Sequence, residues 1–306
     1  PELRQFVLKR AANLFSERAD DYQNAVFVNE VILADTPDDA ETLNHLSELY
    51  DKVGDLSGQT AALEKLLALS DDPSRIDRVI LLASLYEEKL LQTEKAIEVY
   101  EFHREDFQSD DFRALIALER LYSTVQDWPN LVAAVVERAE RVSDGTEAAA
   151  LFLKAALIAE DGLDDIETAT SLYERVLEVE PGHEKALRSL EEHYAKDGRS
   201  IELLDVLTTR LQAVESDQIR ADLQIRRAAI LIDGVNDPIG AFDAISDVLD
   251  IDANNEKAIL RLSELIEDDA IGGQARQRLR THYEQRGNWS DVCELVRLDY
   301  ETLDDD

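Results

Sequence analysis

Apolar residues return along this chain with the period of an α-helix. Between residues 165 and 177 they fall at Ile166, Ala169, Leu172, Tyr173, Val176 and Leu177, a stripe on one side of a helical cylinder. Turn chemistry punctuates the stripes. Asp237 before Pro238 has the form of an N-cap followed by proline at the first helical position. Asp127-Trp-Pro129 and Pro73-Ser74 mark chain reversals in the same way. With only 11 Gly and 6 Pro in 306 residues, little punctuation is left for sheets or long loops, and the chain reads as almost entirely helical.

The helical pattern itself repeats. Leu46-Ser-Glu-Leu-Tyr50, Leu118-Glu-Arg-Leu-Tyr122, Leu190-Glu-Glu-His-Tyr194 and Leu262-Ser-Glu-Leu-Ile266 follow one another at steps of 72 residues. Leu43, Leu115, Leu187 and Ile259 keep the same step, as do the alanines at 25, 169 and 241 and at 12, 156 and 228 once one copy is skipped. In that copy Ala83 and Ala96 fall one residue short, which implies a deletion before Ala83 and an insertion before Ala114. His103-Arg-Glu-Asp106 then stands where sister copies have Val and Leu, so this hairpin is expected to be the loosest packed.

A step of 72 is two periods of about 36, which gives each repeat two helical hairpins. Residues from Glu184 to about Glu215 resemble a tetratricopeptide repeat. Leu187, Leu190 and Tyr194 stand at the large positions of its first helix and Gly198 at its turn, while Leu203 and Leu207 stand at the small and aromatic positions of its second helix. The next hairpin is similar at Ala229, Ala241, Ile245, Val248 and Ala253, and the previous one at Ala169, Tyr173, Val176 and Pro181. The resemblance covers nearly the whole chain and implies an all-α, right-handed α-α superhelix, with residues 1–306 forming a single solenoid of about eight antiparallel hairpins. Two departures stand out. Glu119 and Glu191 occupy a position where the resemblance calls for a small residue, and a long side chain there should hold neighbouring helices apart. Near the end, Ile271-Gly-Gly-Gln breaks the spacing, and residues 279–289 resemble residues 118–128, as though a fresh repeat begins. Trp128 and Trp289 are then equivalent and are expected to anchor helices to one another.

Composition narrows the function. Asp and Glu number 67 against 32 Lys and Arg, a formal net charge of -35 that repels phosphate backbones and anionic headgroups. Nucleic acid and direct membrane insertion are therefore not expected, and no apolar run has the length of a spanning helix. Arg far outnumbers Lys and Asp is abundant, a bias that fits a salt-adapted organism or an Arg-rich genome. The single cysteine, Cys293, makes no internal disulfide. Met is absent and the chain opens on Pro1, so it is expected to be a piece of a longer protein, with a cytoplasmic setting favoured and a periplasmic one open if a leader was removed.

Catalytic signatures are missing: no phosphate-binding Gly-x-x-x-x-Gly-Lys, no Gly-x-Ser-x-Gly, no His-Glu-x-x-His. The five histidines never recur at i and i+4, and His45 and His193, in the repeated first helices, read as surface or half-buried structural groups. Asp250, Asp252, Asn254 and Glu256 have the spacing of a calcium loop's first ligands but lack its glycine and distal glutamate, so they read as an inter-hairpin turn. The pairs Asp164-Asp165 and Asp110-Asp111 read as helix N-terminal charges, and Asp304, Asp305 and Asp306 as a solvated tail. No enzyme activity, metal or cofactor is expected.

What the resemblance implies instead is a concave groove, lined by positions 2, 5, 9 and 12 of each first helix. In the outer copies these are Glu41, Asn44, Glu48 and Asp51, and Lys257, Leu260, Glu264 and Glu267. In the middle two they are Arg113, Ile116, Arg120 and Ser123, and Lys185, Arg188, Glu192 and Ala195. Arg113, Arg120, Lys185 and Arg188 are thus the candidate partner-binding residues, four cations on an acidic background that could clamp an acidic peptide or simply pair with neighbouring glutamates. The expected function is a protein-interaction scaffold, with the regulatory arm of an enzyme or a self-associating structural component as alternatives.

Overall fold

Two kinds of tight turn, used alternately, organise the molecule. The computed structural model describes residues 2–69, 72–108 and 110–304, together with the side chains of residues 3–69, 72–108 and 110–300. Every regular element among them is helical, and the helices gather into two compact units, residues 1–143 and 144–306. The first holds α1 (Glu2–Arg18), α2 (Tyr22–Asp35), α3 (Ala40–Val53), α4 (Leu56–Leu69), α5 (Arg75–Ser84), α6 (Thr93–Phe102), α7 (Arg113–Val125) and α8 (Trp128–Arg141). The second holds α9 (Gly145–Leu163), α10 (Ile166–Val179), α11 (Glu184–Asp197), α12 (Ser200–Ala213), α13 (Asp217–Asp233), α14 (Pro238–Ile251), α15 (Glu256–Ser263), α16 (Gly272–Arg286) and α17 (Trp289–Asp304). Within each unit every helix packs against the next in sequence, which is the array of antiparallel hairpins that the apolar pattern predicts.

The first kind of turn closes the hairpins α3/α4, α7/α8, α11/α12 and α16/α17. Gly54, Gln126, Gly198 and Gly287 take left-handed φ values of 75°, 59°, 69° and 73°. Three of the four are glycine because only glycine adopts that backbone without strain. The next residue's N–H then bonds the carbonyl of Tyr50, Tyr122, Tyr194 or Tyr283, each at 2.9 Å. In the second kind, at α1/α2, α9/α10 and α13/α14, the left-handed residue is Asp20, Asp164 or Asn236, types that tolerate positive φ best after glycine. An aspartate follows it each time, and Asp21, Asp165 and Asp237 accept a hydrogen bond from the N–H three residues on. Like turns are separated by one of the other kind except across α5/α6, where Leu91 takes a φ of 54° and Gln92 gives no side-chain cap, so the repeat is the 72-residue double hairpin with one irregular copy.

Small residues let the helices approach. Ala12, Ala25, Ala96, Ala156, Ala169, Ala228 and Ala241 are completely buried, and Leu118, Leu190, Leu207, Ile245 and Leu262 fill the core around them. Ala253, by contrast, is exposed in the turn after α14 and lends only its carbonyl, to His282 Nδ1 at 3.0 Å.

Tyrosines latch successive hairpins. Tyr50 Oη donates to Glu30 Oε1 at 2.8 Å, Tyr122 Oη to Glu101 Oε1 at 2.5 Å and Tyr194 Oη to Glu174 Oε1 at 2.5 Å. Tyr86 makes the equivalent bond to Glu64. Each joins a first helix to the second helix of the hairpin before it. A hydrogen bond to a carboxylate in such a half-buried place contributes about 1–2 kcal/mol.

The irregular hairpin is α5/α6. A π-helical turn at Leu85–Lys89 extends α5, and α6 stops after 10 residues where α2 and α10 run for 14. The polar stretch that should have loosened it refolds instead as a short 3-10 turn, Arg104–Asp106. His103 is buried there, with Nδ1 2.8 Å from Asp106 Oδ2 and 3.3 Å from Arg75 Nη2, and Arg75 Nε lies 2.7 Å from Asp106. A bonded polar cluster replaces the apolar contact of the sister hairpins.

Two consequences are measurable. Ala169→Leu or Ala241→Leu forces a side chain into a contact with no free space and should cost about 1–3 kcal/mol in a urea melt. An unchanged midpoint would mean that neither alanine faces a partner helix. The latches make the second consequence one of pH. Burial, helped by Glu64, pushes the Tyr86 phenol up to about 12, and burial beside their glutamates moves Tyr50, Tyr122 and Tyr194 upward too. A group raised on folding stabilises fully below its unfolded value of about 10 and loses that contribution as pH climbs through the folded value. Stability should therefore hold up to pH ~9.5 and fall between about 10 and 12, and Tyr194→Phe should shallow that fall.

Candidate functional site

All sixteen groove positions named from the repeat are exposed: those of α3, α7, α11 and α15 alike. The sets of α3, α7 and α11 lie at helical spacing on one face of each helix and give a continuous outward strip apiece, whereas α15 ends at Ser263 and leaves Glu264 and Glu267 in the turn beyond it. The four candidate cations divide between the units, Arg113 and Arg120 on α7 and Lys185 and Arg188 on α11.

Three of the four already hold carboxylates. Arg113 forks onto Asp111, with Nε to Oδ1 at 3.0 Å and Nη2 to Oδ2 at 2.8 Å, and its Nη1 lies 3.7 Å from Asp77. Arg120 reaches across to Glu87 with Nη2 to Oε2 at 2.7 Å. Arg188 bonds Glu184 one turn back, at 2.8 Å from Nε. The charge-assisted bonds from Arg120 hold the Glu87 carboxyl below its usual range, and those from Arg113 do the same for Asp111. Lys185 is exposed and has no hydrogen-bond or ion-pair partner among the described residues.

Between α11, α12 and α13 the strip opens into a hollow of about 330 Å³. Glu192 and Ala195, two of the predicted groove positions, line it from α11. Leu203 and Leu207 make its floor, and Ala229, Ile230 and Arg226 close it from α13. Beside it sits Glu191, which the repeat pattern treated as a spacer. The carboxylate is buried, not splayed between helices, and bridges Arg210 on α12 and Arg226 on α13. Glu119 is its counterpart one double hairpin earlier, also buried, with Oε1 2.8 Å from Arg138 Nη1. The arginines keep the same 72-residue step as the glutamates, a signal that was present in the sequence and is visible only when both partners are followed.

Other polar groups prove structural. His193 is fully buried, where a surface or half-buried position was expected. Its Nδ1 lies 2.9 Å from Thr170 Oγ1 and its Nε2 3.3 Å from Glu160 Oε1, while Tyr173 Oη donates to Glu160 Oε2 at 2.6 Å. Burial alone would raise the Glu160 carboxyl, but the bonds from Tyr173 and His193 outweigh it and hold it low. Asp252 Oδ1 accepts from Asn254 N at 3.0 Å and Asn255 caps α15, so the calcium-like segment is occupied with its own turn. Trp128 is half-buried, but Trp289 is 63% exposed and anchors nothing that the structure describes. Asp305 and Asp306 lie outside the described residues. Among the described residues no group of three His, Cys, Asp or Glu side chains is placed to hold a metal ion, and no helix is long and apolar enough to cross a membrane.

No protein-family model matches the chain, and no curated protein matches it in sequence. Several solved structures are similar in fold. One is a chain of Naa15/Naa10 bound to HypK-THB, at a TM-score of 0.42 and 15% identity over 97% of this chain and 50% of that one. This chain therefore spans about half the length of that match. A tetratricopeptide repeat protein from Parabacteroides merdae is similar at a TM-score of 0.35 and 16% identity, covering 85% of this chain and 97% of that one. The human IFIT1 dimer with PPP-AAAA is similar at 0.35 and 17%, covering 92% and 69%. The tetratricopeptide-like character of the hairpins is carried here by the chain's own alternating turns and buried alanines.

The buried ion pairs define the site's rigidity. Glu191→Ala leaves Arg210 in a nearly closed environment without a counter-charge and should lower stability by about 3 kcal/mol. The double substitution Glu191→Leu with Arg210→Leu should recover most of that loss in the same denaturation assay. Equal losses in the single and double variants would show that packing, not charge, is what Glu191 supplies.

Proposed function

We propose that the chain is a non-catalytic scaffold that holds a segment of a partner protein against the exposed faces of its first helices. The hollow between α11 and α13 supports this reading most directly. It is open to solvent, its floor is apolar, and its rim carries the exposed Arg226 and Glu192. Such a place takes an apolar side chain while polar groups around it fix the orientation of the chain that bears it. Lys185 and Arg188 stand on the same helix as Glu192 and Ala195, and Arg113 and Arg120 stand on the corresponding strip of α7.

In this reading the cations of each strip, Arg113 and Arg120 on one and Lys185 and Arg188 on the other, receive carboxylates from a partner segment lying on that strip. The ion pairs that Arg113, Arg120 and Arg188 now make are solvent-exposed, and exposed pairs contribute little, so an incoming carboxylate can replace the internal one. A protein partner is favoured over a polyanion in this reading, because a net charge of -35 opposes the approach of a phosphate backbone. The PPP-AAAA ligand of human IFIT1 belongs to that protein.

Selection of a random-peptide display library on the chain tests the proposal. Enriched peptides should combine acidic residues with a large apolar one. Arg120→Glu together with Arg188→Glu should weaken their binding about tenfold, and more at low salt than at high. Ala195→Trp, which fills the hollow from an exposed position, should abolish selection of the apolar residue. A library from which nothing is enriched, or peptides indifferent to all three substitutions, would sink this function.

A further inference from the structure

We propose that the cleft between α14, α15 and α16 is a second docking site, one that takes an uncharged, extended peptide segment and reads its main chain. It rests on the scaffold reading only in having a protein segment as occupant; its place and its chemistry are different.

The cleft originates in the irregular stretch of the repeat. α11 runs for 14 residues and is followed by α12 after a two-residue turn. α15 stops after 8, and residues 264–271 separate it from α16. α16 therefore stands off from α15, and a cleft of about 460 Å³ opens on the side of α16 that faces back toward α14. Its walls all come from residues 242–285, inside one compact unit.

The two walls differ in kind. One is apolar, made by Phe242 and Leu249 of α14 and by Ile259 and Leu262 of α15, with Leu279 of α16 at its base. Leu262 and Leu279 are buried while Phe242 and Ile259 are half-buried, so this wall has a fixed floor and an accessible edge. The other wall is a polar ladder on one face of α16: Gln277, Thr281 and Gln285, with Gln274 a turn before them. The three glutamine side chains are exposed and have no hydrogen-bond partner among the described residues. Thr281 Oγ1 donates to the Gln277 carbonyl at 3.0 Å, which leaves its lone pairs for an incoming N–H. His282 Nδ1 donates to the Ala253 carbonyl at 3.0 Å, which leaves Nε2 as an acceptor.

Charge and spacing decide what fits. Among the described residues that line the cleft, Arg278 alone is charged, and Asp250 already holds it. An incoming carboxylate meets a net charge of -35, and an incoming cation finds no free counter-charge in the cleft, so either would be desolvated at a loss. A peptide group is neutral, donates and accepts, and is the functional group that a glutamine side chain carries; the two can pair through two hydrogen bonds. Rungs four residues apart on a helix are about 6 Å apart along its axis, and an extended chain repeats the groups of one edge every two residues, or about 6.7 Å. Glutamine rotamers absorb the difference. With one edge of its main chain on the ladder, the segment turns every second side chain toward Phe242, Leu249 and Ile259. The sequence recognised is thus uncharged and apolar at alternate positions, unlike the acidic segments of the α7 and α11 strips.

Selection of an uncharged peptide display library on the 306-residue chain tests the site, with peptides of about seven residues that lack Asp, Glu, Lys and Arg. Enriched peptides should carry apolar residues at alternate positions and bind equally at low and high salt. Gln277→Leu together with Gln285→Leu should weaken them about tenfold, with an unchanged melting curve to verify that the variant folds. Ala195→Trp, in the other hollow, should leave them unaffected. N-methylation of alternate main-chain amides in a selected peptide should abolish binding in one register and spare it in the other. A library without enrichment, peptides indifferent to the glutamine substitutions, or equal effects of methylation in both registers would overturn this site. Acidic peptides that still bind the chain in any of those cases would leave the scaffold reading standing.

Discussion

One helical hairpin cannot remove its own apolar stripe from water, and every feature of this chain follows from that constraint. Two helices of about 14 residues bury the facing halves of their stripes and leave the outer halves open. The next hairpin must cover what remains. Completely buried alanines at the crossing points make close approach cheap, and tyrosines of α3, α7 and α11 each bond a glutamate on the helix before. Stability is then a sum of nearest-neighbour terms, and the face turned away from the stack is left free for other work.

The repeat made most of this legible in the sequence. The 72-residue step locates the helices, Asp237 and Asp127 cap them where the Pro-containing turns place them, and all sixteen groove positions emerge on the exposed side. Single-residue periodicity could not reveal the pairings. Glu119 and Glu191 look like misplaced long side chains until Arg138 and Arg210 are followed at the same step, and His193 looks like a surface residue until Thr170 and Glu160 close around it. Polarity is read from a residue alone, whereas burial depends on a partner that lies a hairpin away. The same limit explains the α5/α6 hairpin, where Arg75, His103 and Asp106 satisfy one another and turn an expected weakness into a fixed cluster.

In the proposed function an acidic protein would still attract carboxylates. Of 32 basic residues, most that the structure describes near the first helices are held by glutamate or aspartate, which keeps the surface from attracting polyanions indiscriminately. In that reading a held arginine would exchange its internal carboxylate for that of a ligand which also brings an apolar group for the hollow. Selectivity would then come from needing both features at once, since neither an exposed ion pair nor a small apolar depression binds much alone.

The alternation of turn chemistry carries a consequence for how such a chain can change in length. Excising or copying a single hairpin would set two bends of one backbone kind side by side. Growth or shrinkage by whole pairs of hairpins preserves the stacking rule. Duplication in whole pairs of hairpins would then keep the alternation of bends intact.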